Sequence, residues 1–118
     1  MAKIQITADH VIVKLPLWRQ ILSLSTGFTI PLENVRGATM DPGAAGEPKG
    51  LRSPGTYIPG VLTLGTFYRD GERTFWDVHN RSRVVVLQLT GERYDRLVLE
   101  VENPRTVVEH IEAATRPS

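Results

Sequence analysis

Histidine and serine are the side chains of this sequence that could support nucleophilic or metal-assisted chemistry. No serine lies in a Gly-x-Ser-x-Gly elbow, and His10, His79 and His110 have none of the short spacings with which histidine pairs bind metals. The chain has no cysteine, which excludes a disulfide framework, an iron–sulfur site, a thiolate zinc site and a cysteine nucleophile. These residues therefore predict no enzymatic activity and no metal site.

The stretch Gly43–Gly50 is the nearest approach to a phosphate-binding loop, because it is rich in glycine and contains Lys49. It lacks the Gly-x-x-x-x-Gly-Lys-Ser/Thr order of such loops, and Pro48 is unsuited to a helix that starts directly after it. We interpret the stretch as a connecting loop, and we expect the protein to use no cofactor.

The charge balance gives no reason to expect a nucleic-acid partner. The formal net charge is +1, from 14 basic and 13 acidic residues, so no overall field attracts a polyanion. The longest unbroken aliphatic run, Val84–Leu87, is far shorter than the roughly 20 apolar residues of a spanning helix. The first residues lack the apolar stretch and cleavage site of a signal peptide. We therefore expect a cytoplasmic protein, with peripheral contact to a membrane left open.

The 118 residues suffice for one domain, which we assign to 1–118. Five of the 10 glycines and four of the 8 prolines fall between Asp41 and Gly60. This segment has few apolar side chains to offset the cost of ordering its backbone. We predict a long Pro/Gly-rich flexible loop over 41–60, in which 41–53 is a connector and 54–60 is the structured approach to the next strand.

Alternating apolar and polar residues predict β-strands on both sides of this loop. Leu17–Leu24 has a helical spacing of apolar residues instead, and predicts a short helix or an irregular strand. Asn103 and Pro104 form a helix start, with asparagine as the N-cap. Apolar residues then recur on one stripe of a C-terminal amphipathic helix. The predicted strands are 3–7, 11–15, 28–32, 61–69, 74–79, 83–90 and 96–101, and 35–40 is a further candidate strand.

About seven short antiparallel strands and one capping helix predict a small, mainly β barrel or sandwich. The chain resembles the bacterial pleckstrin-homology-like domains in three places. Phe28–Val35 is similar to their strand-Pro-Leu-x-x-Val step, and Gly55–Gly60 with Gly65 and Phe67 is similar to a Gly-x-x-x-Pro-Gly segment followed by Gly-x-Phe. Tyr94–Ile111 is similar to their last strand and helix. The resemblance implies a pleckstrin-homology-like fold and none of its motifs is catalytic.

On this basis we expect a non-enzymatic binding module that contacts another protein or a second copy of itself, through a sheet edge or an outer aromatic face. Phe75 and Trp76 are adjacent on one predicted strand and face opposite sides, so one is expected in the core. For the other, two alternatives are open: it lies at a surface or interface, or it is covered by the 41–60 loop or a partner strand. The candidate contact residues are Trp18, Tyr57, Ile58, Phe75 and Trp76.

Two alternatives stay open. The first is peripheral binding to an anionic lipid surface through basic hairpins, with the candidate contacts Lys49, Arg52, Arg69, Arg73, Arg81 and Arg83. The Lys-x(n)-Arg-x-Arg pattern with which related eukaryotic domains grip inositol phosphates is missing from the first hairpin, where this chain has Lys14 and then Arg19. The second alternative is a small-ligand binding protein, for which the sequence offers no convergent set of polar residues.

Overall fold

A computed structural model describes residues 2–15, 27–40, 51–58, 62–69, 71–79 and 83–115. The predicted helical segment Leu17–Leu24 lies outside these ranges. The described strands are β1 Lys3–Ile6, β2 His10–Lys14, β3 Gly27–Pro31, β4 Val35–Met40, β5 Leu51–Ile58, β6 Leu62–Arg69, β7 Glu72–Val78, β8 Val84–Leu89 and β9 Arg96–Glu100. One α-helix, α1, spans Pro104–Thr115.

The strands form two sheets, which confirms a mainly β protein with a C-terminal helix. The smaller sheet has the order β1-β2-β3, and the larger has the order β4-β8-β9-β7-β6-β5. Two details of the prediction are wrong. The described ranges contain nine strands instead of about seven, and β7 pairs with β9 in parallel. The pairings among the described residues leave two separate sheets and do not close a barrel.

The first hairpin follows from its sequence. Val11 and Val13 are buried on the inner face of β2, whereas His10 and Ile12 are half-buried and Lys14 is exposed, as the alternation predicts. The turn is held by Thr7, whose hydroxyl accepts hydrogen bonds from the backbone N–H groups of His10 at 3.0 Å and Asp9 at 3.3 Å. A threonine hydroxyl that bonds its own turn backbone is a common turn device.

The expectation that the whole of 41–60 is a loop is wrong. Residues 51–58 form β5, which pairs with β6 from Leu51 to Ile58. The register shifts between Arg52 and Gly55, where Pro54 lies. Proline is tolerated here because β5 is the last strand of its sheet and the ladder is already interrupted at the shift. The remaining positions, 41–50 and 59–60, lie outside the described residues.

The larger sheet has a buried apolar cluster on each face. The first cluster joins both sheets and the helix, and includes Val11, Ile30, Phe75, Leu97 and Ile111. The second lies on the opposite face of the larger sheet and consists of Phe67, Trp76, Val78, Val84, Val86 and Val98. Burial on both faces matches the unbroken apolar run of β8.

Helix α1 begins as predicted. The Asn103 side-chain oxygen accepts a hydrogen bond from the backbone N–H of Thr106 at 3.3 Å, which is the N-cap interaction. Ile111 is fully buried in the first cluster, with Val107 and Val108 packed against its margin. This apolar stripe holds α1 against the sheets, where its closest neighbours are β4, β1 and β8.

Candidate functional site

The predicted contact residues do not form a surface within the part of the chain that the structure describes. Trp18 lies outside the described residues. Tyr57 and Ile58 lie on β5, at one edge of the larger sheet, and their side chains are outside what the structure describes. Their assignment as contact residues stays a prediction.

Of the alternatives for Phe75 and Trp76, an exposed position for one of the two rings is wrong. Alternation along β7 does place them on opposite faces, but Phe75 is 0% exposed and Trp76 is 4% exposed. Phe75 packs edge to face against Phe28 in the first cluster. Trp76 packs against Phe67 in the second, with ring centroids 6.5 Å apart. Neither ring can contact a partner while both faces of the sheet are covered.

The six basic candidates are not brought together where the structure describes them. Lys49 and Arg81 lie outside the described residues, and the side chains of Arg52 and Arg69, on β5 and β6, lie outside them as well. Only the side chains of Arg73 and Arg83 can be placed.

The Arg73 side chain interacts with other residues of the fold. Its guanidinium carbon lies 5.2 Å from the centre of the Tyr68 ring, and its Nη1 donates a hydrogen bond to the Arg93 carbonyl at 3.3 Å. Arg83 is exposed and precedes β8. The register places these two arginines at opposite ends of β9, which spans about 13 Å at ~3.3 Å for each residue step. They therefore do not form one anion site.

The structure reveals a different candidate binding site, at the outer edge of β4. This strand pairs with β8 on one side, and no strand among the described residues pairs with its other side. A groove of about 480 Å³ runs between this edge and the last turns of α1. We name it the β4–α1 groove. Its lining residues are Arg36, Gly37, Ala38, Thr39, Gln88, Glu112 and Thr115.

Gly37 leaves open space in the β4–α1 groove. A Cβ atom built at this position meets no other atom within 4 Å, and its φ is not in the left-handed region. Neither crowding nor backbone conformation therefore requires glycine here. A glycine inside a strand often marks a bulge or a place where a ligand or another backbone approaches closely. Gly37 pairs with Gln88 of β8, directly after a register shift that sets Arg36 apart as the extra residue.

Arg36 supplies an available positive charge at this edge. Its side chain is exposed, and the described residues form no ion pair with it. A second groove begins on its other side and is lined by Arg36, Glu72, Gln88, Leu89, Asp95 and Arg96. There the Nε of Arg96 lies 3.3 Å from a carboxylate oxygen of Glu72, so these two charges largely compensate each other. Asp95 adds a second carboxylate to this groove, so its two arginines are balanced by two acidic residues. Among the described residues that line the β4–α1 groove, Arg36 is the one cation.

The sequence indicated 35–40 as a candidate strand, but it did not indicate a binding site there. The signal was present in Val35–Met40, which contains a cation, a glycine and no acidic residue. Its position at the sheet edge depends on the order of distant strands, which alternation along one segment does not specify.

Within the described ranges, no group of three or more His, Asp or Glu side chains is arranged to hold a metal ion. No helix in the described part of the chain is long and apolar enough to cross a membrane. In comparisons with known proteins, the chain matches no family model, no curated protein and no solved structure.

Proposed function

We propose that this protein is a non-enzymatic binding module that recognises another protein by pairing with the outer edge of β4. The observation that supports the proposal is the outer edge of β4 beside the β4–α1 groove, an edge with which no strand of the described ranges pairs. The two-sheet, mainly β architecture with a last helix packed on it also supports a pleckstrin-homology-like fold as part of this proposal.

A free strand edge can bind protein without any catalytic machinery. Its outward N–H and C=O groups are unpaired, so an incoming extended segment gains a ladder of main-chain hydrogen bonds. Side-chain pockets along the edge then provide selectivity. Met40, at the end of β4, is 47% exposed and offers apolar area next to the groove. The edge therefore combines backbone donors and acceptors with a shaped wall on α1.

The test is a displayed library of random short peptides selected on the full chain, followed by amide hydrogen exchange with and without the selected peptides. We expect the outward amides of β4 to exchange at least about tenfold more slowly when a peptide is bound, because new hydrogen bonds protect them. Amides of β3, an edge strand of the smaller sheet, serve as the internal control and should not change. Protection of β3 alone, or no saturable peptide binding, would overturn the proposal.

A further inference from the structure

The composition of the two outer strands of the larger sheet bears on what β4 would bind. The sequence of β4 is VRGATM and that of β5 is LRSPGTYI. Each contains one arginine and no acidic residue. Pairing of β4 with either strand of a second copy would place two basic strands side by side, and like charges across a strand pair are destabilising. An acidic strand from another protein is the complementary partner.

The position of that acidic residue follows from the charges around the groove. Arg36 is exposed and forms no ion pair with the described residues. The opposite wall contains the exposed carboxylate of Glu112 and the C-terminal end of α1, which has the negative end of the helix dipole. An acidic side chain is therefore attracted at the Arg36 end and repelled at the α1 wall.

The open space at Gly37 specifies a second feature of the partner. A large side chain on a neighbouring strand can cover an edge glycine and pack on the exposed backbone, and none of the described residues occupies the position of a Cβ at Gly37. Gln88, which pairs with Gly37, provides an amide at the floor of the same groove. A bulky residue, such as tyrosine, fits this place.

We propose that the β4–α1 groove binds an extended peptide segment of another protein, with an acidic residue beside Arg36 and a bulky side chain over Gly37. This inference rests on the proposed function, because it requires the edge of β4 to be the binding surface. It adds the chemistry of the partner and the two residues that select it.

The experiment uses short threonine-rich synthetic peptides with one glutamate and one tyrosine side by side, and matched peptides with lysine in place of the glutamate. For the full chain at low salt, we expect the glutamate peptide to bind about fivefold more tightly than the lysine peptide, as for exposed charge pairs. Arg36→Glu should reverse this preference. Arg83→Glu, which makes the same charge change at an exposed position away from the groove, should leave it unchanged.

Gly37→Val tests the steric part independently of folding. The space at the new Cβ is open among the described residues, and thermal melting of this variant beside the wild type and Gly37→Ala measures whether the two further methyl groups also fit the fold. Its added methyl groups occupy the space that the partner needs, so both peptides should bind at least about tenfold more weakly. The reversed peptide preference of Arg36→Glu and the weaker binding of Gly37→Val together support the inference.

The outcomes separate this inference from the proposed function. If library-selected peptides protect β4 amides but bind Arg36→Glu and Gly37→Val as tightly as the wild type, the partner chemistry is wrong and edge binding stands. If no peptide protects β4, both are overturned. Equal binding of the glutamate and lysine peptides also contradicts the inference.

Discussion

The rings of Phe28 and Phe75 meet edge to face, with their centroids 4.7 Å apart and their planes at 69°. Phe28 lies on β3 of the smaller sheet and Phe75 on β7 of the larger sheet, so this contact joins the two sheets. The ring of Tyr94 approaches both, at 5.4 Å and 5.9 Å. Aromatic pairs in such geometry contribute about 0.5–1.5 kcal/mol beyond their buried area.

Truncation of Phe75 should strongly destabilise the fold. Its side chain is fully buried, so Phe75→Ala removes a whole ring and leaves a cavity between the sheets. We expect the free energy of unfolding to fall by about 3–5 kcal/mol, measured by urea denaturation followed by circular dichroism. Thr29→Ala, at an exposed position of β3, is the control and should change stability by no more than about 0.5 kcal/mol. Equal losses in the two variants would contradict the assigned core.

A buried pair of hydroxyl groups provides a second test. The oxygens of Thr66 and Tyr94 lie 2.9 Å apart inside the fold. Tyr94→Phe removes one partner and leaves the other buried without its hydrogen bond, which should cost about 1–3 kcal/mol of unfolding free energy. When Thr66→Val is added, we expect the double variant to lose less than the sum of the single losses. Strict additivity in this double-mutant cycle would show that the hydroxyls do not interact.

The elements that the sequence predicts correctly are those whose determining residues lie within or directly beside them. The first hairpin has a polar turn around Thr7 between two short apolar alternations. Helix α1 has its cap at Asn103, proline at its first position and an apolar stripe that ends in the core. Each of these features lies within a few residues of the backbone it determines, so a single sequence suffices to find it.

The elements that sequence missed depend on distant partners. Leu51–Ile58 contains proline and glycine, which are poor strand residues, and it becomes a strand because β6 offers an edge to pair with. The parallel pairing of β7 with β9 is equally non-local, since β8 lies between them in the chain. Alternation placed Phe75 and Trp76 on opposite faces correctly. Whether the second face is covered depends on the rest of the fold.

The candidate site illustrates the same limit. Residues Val35–Met40 were a candidate strand in the sequence, and the structure shows that they form β4. Their role as a free edge follows only from the strand order, in which β8 pairs with one side of β4. The wall of the groove comes from Glu112 and Thr115, far along the chain on α1. Spacing within one segment contains no information about such a meeting of a strand and a helix.

The N-cap of α1 should contribute measurably to stability. Asn103→Ala removes the side-chain oxygen that accepts the Thr106 N–H, and should cost about 1 kcal/mol of unfolding free energy. Asn103→Asp keeps an acceptor at the same place, and should stay within about 0.5 kcal/mol of the wild type. Thermal unfolding of the three proteins, monitored by circular dichroism, makes the comparison. If alanine and aspartate destabilise equally, the cap is not the cause.

Two glycines on strands should respond in opposite ways to the same substitution. Gly27 has a φ of +125°, and a Cβ there would overlap the carbonyl oxygen of Val13 on the neighbouring strand. Gly27→Ala should therefore cost at least about 2 kcal/mol of unfolding free energy. Gly37 has no such φ and open space around its Cβ position, so Gly37→Ala should raise stability by about 0.5–1 kcal/mol.

Urea denaturation of the two alanine variants beside the wild type measures this difference. If both alanine variants have a lower free energy of unfolding than the wild type, the fold itself needs glycine at Gly37. The absence of a side chain there would then be explained by folding and not by binding. A gain at Gly37 together with a loss at Gly27 shows that the fold alone does not require glycine at the edge of β4. The remaining physical reasons for glycine at this position are the register shift directly before it and the approach of a partner's backbone.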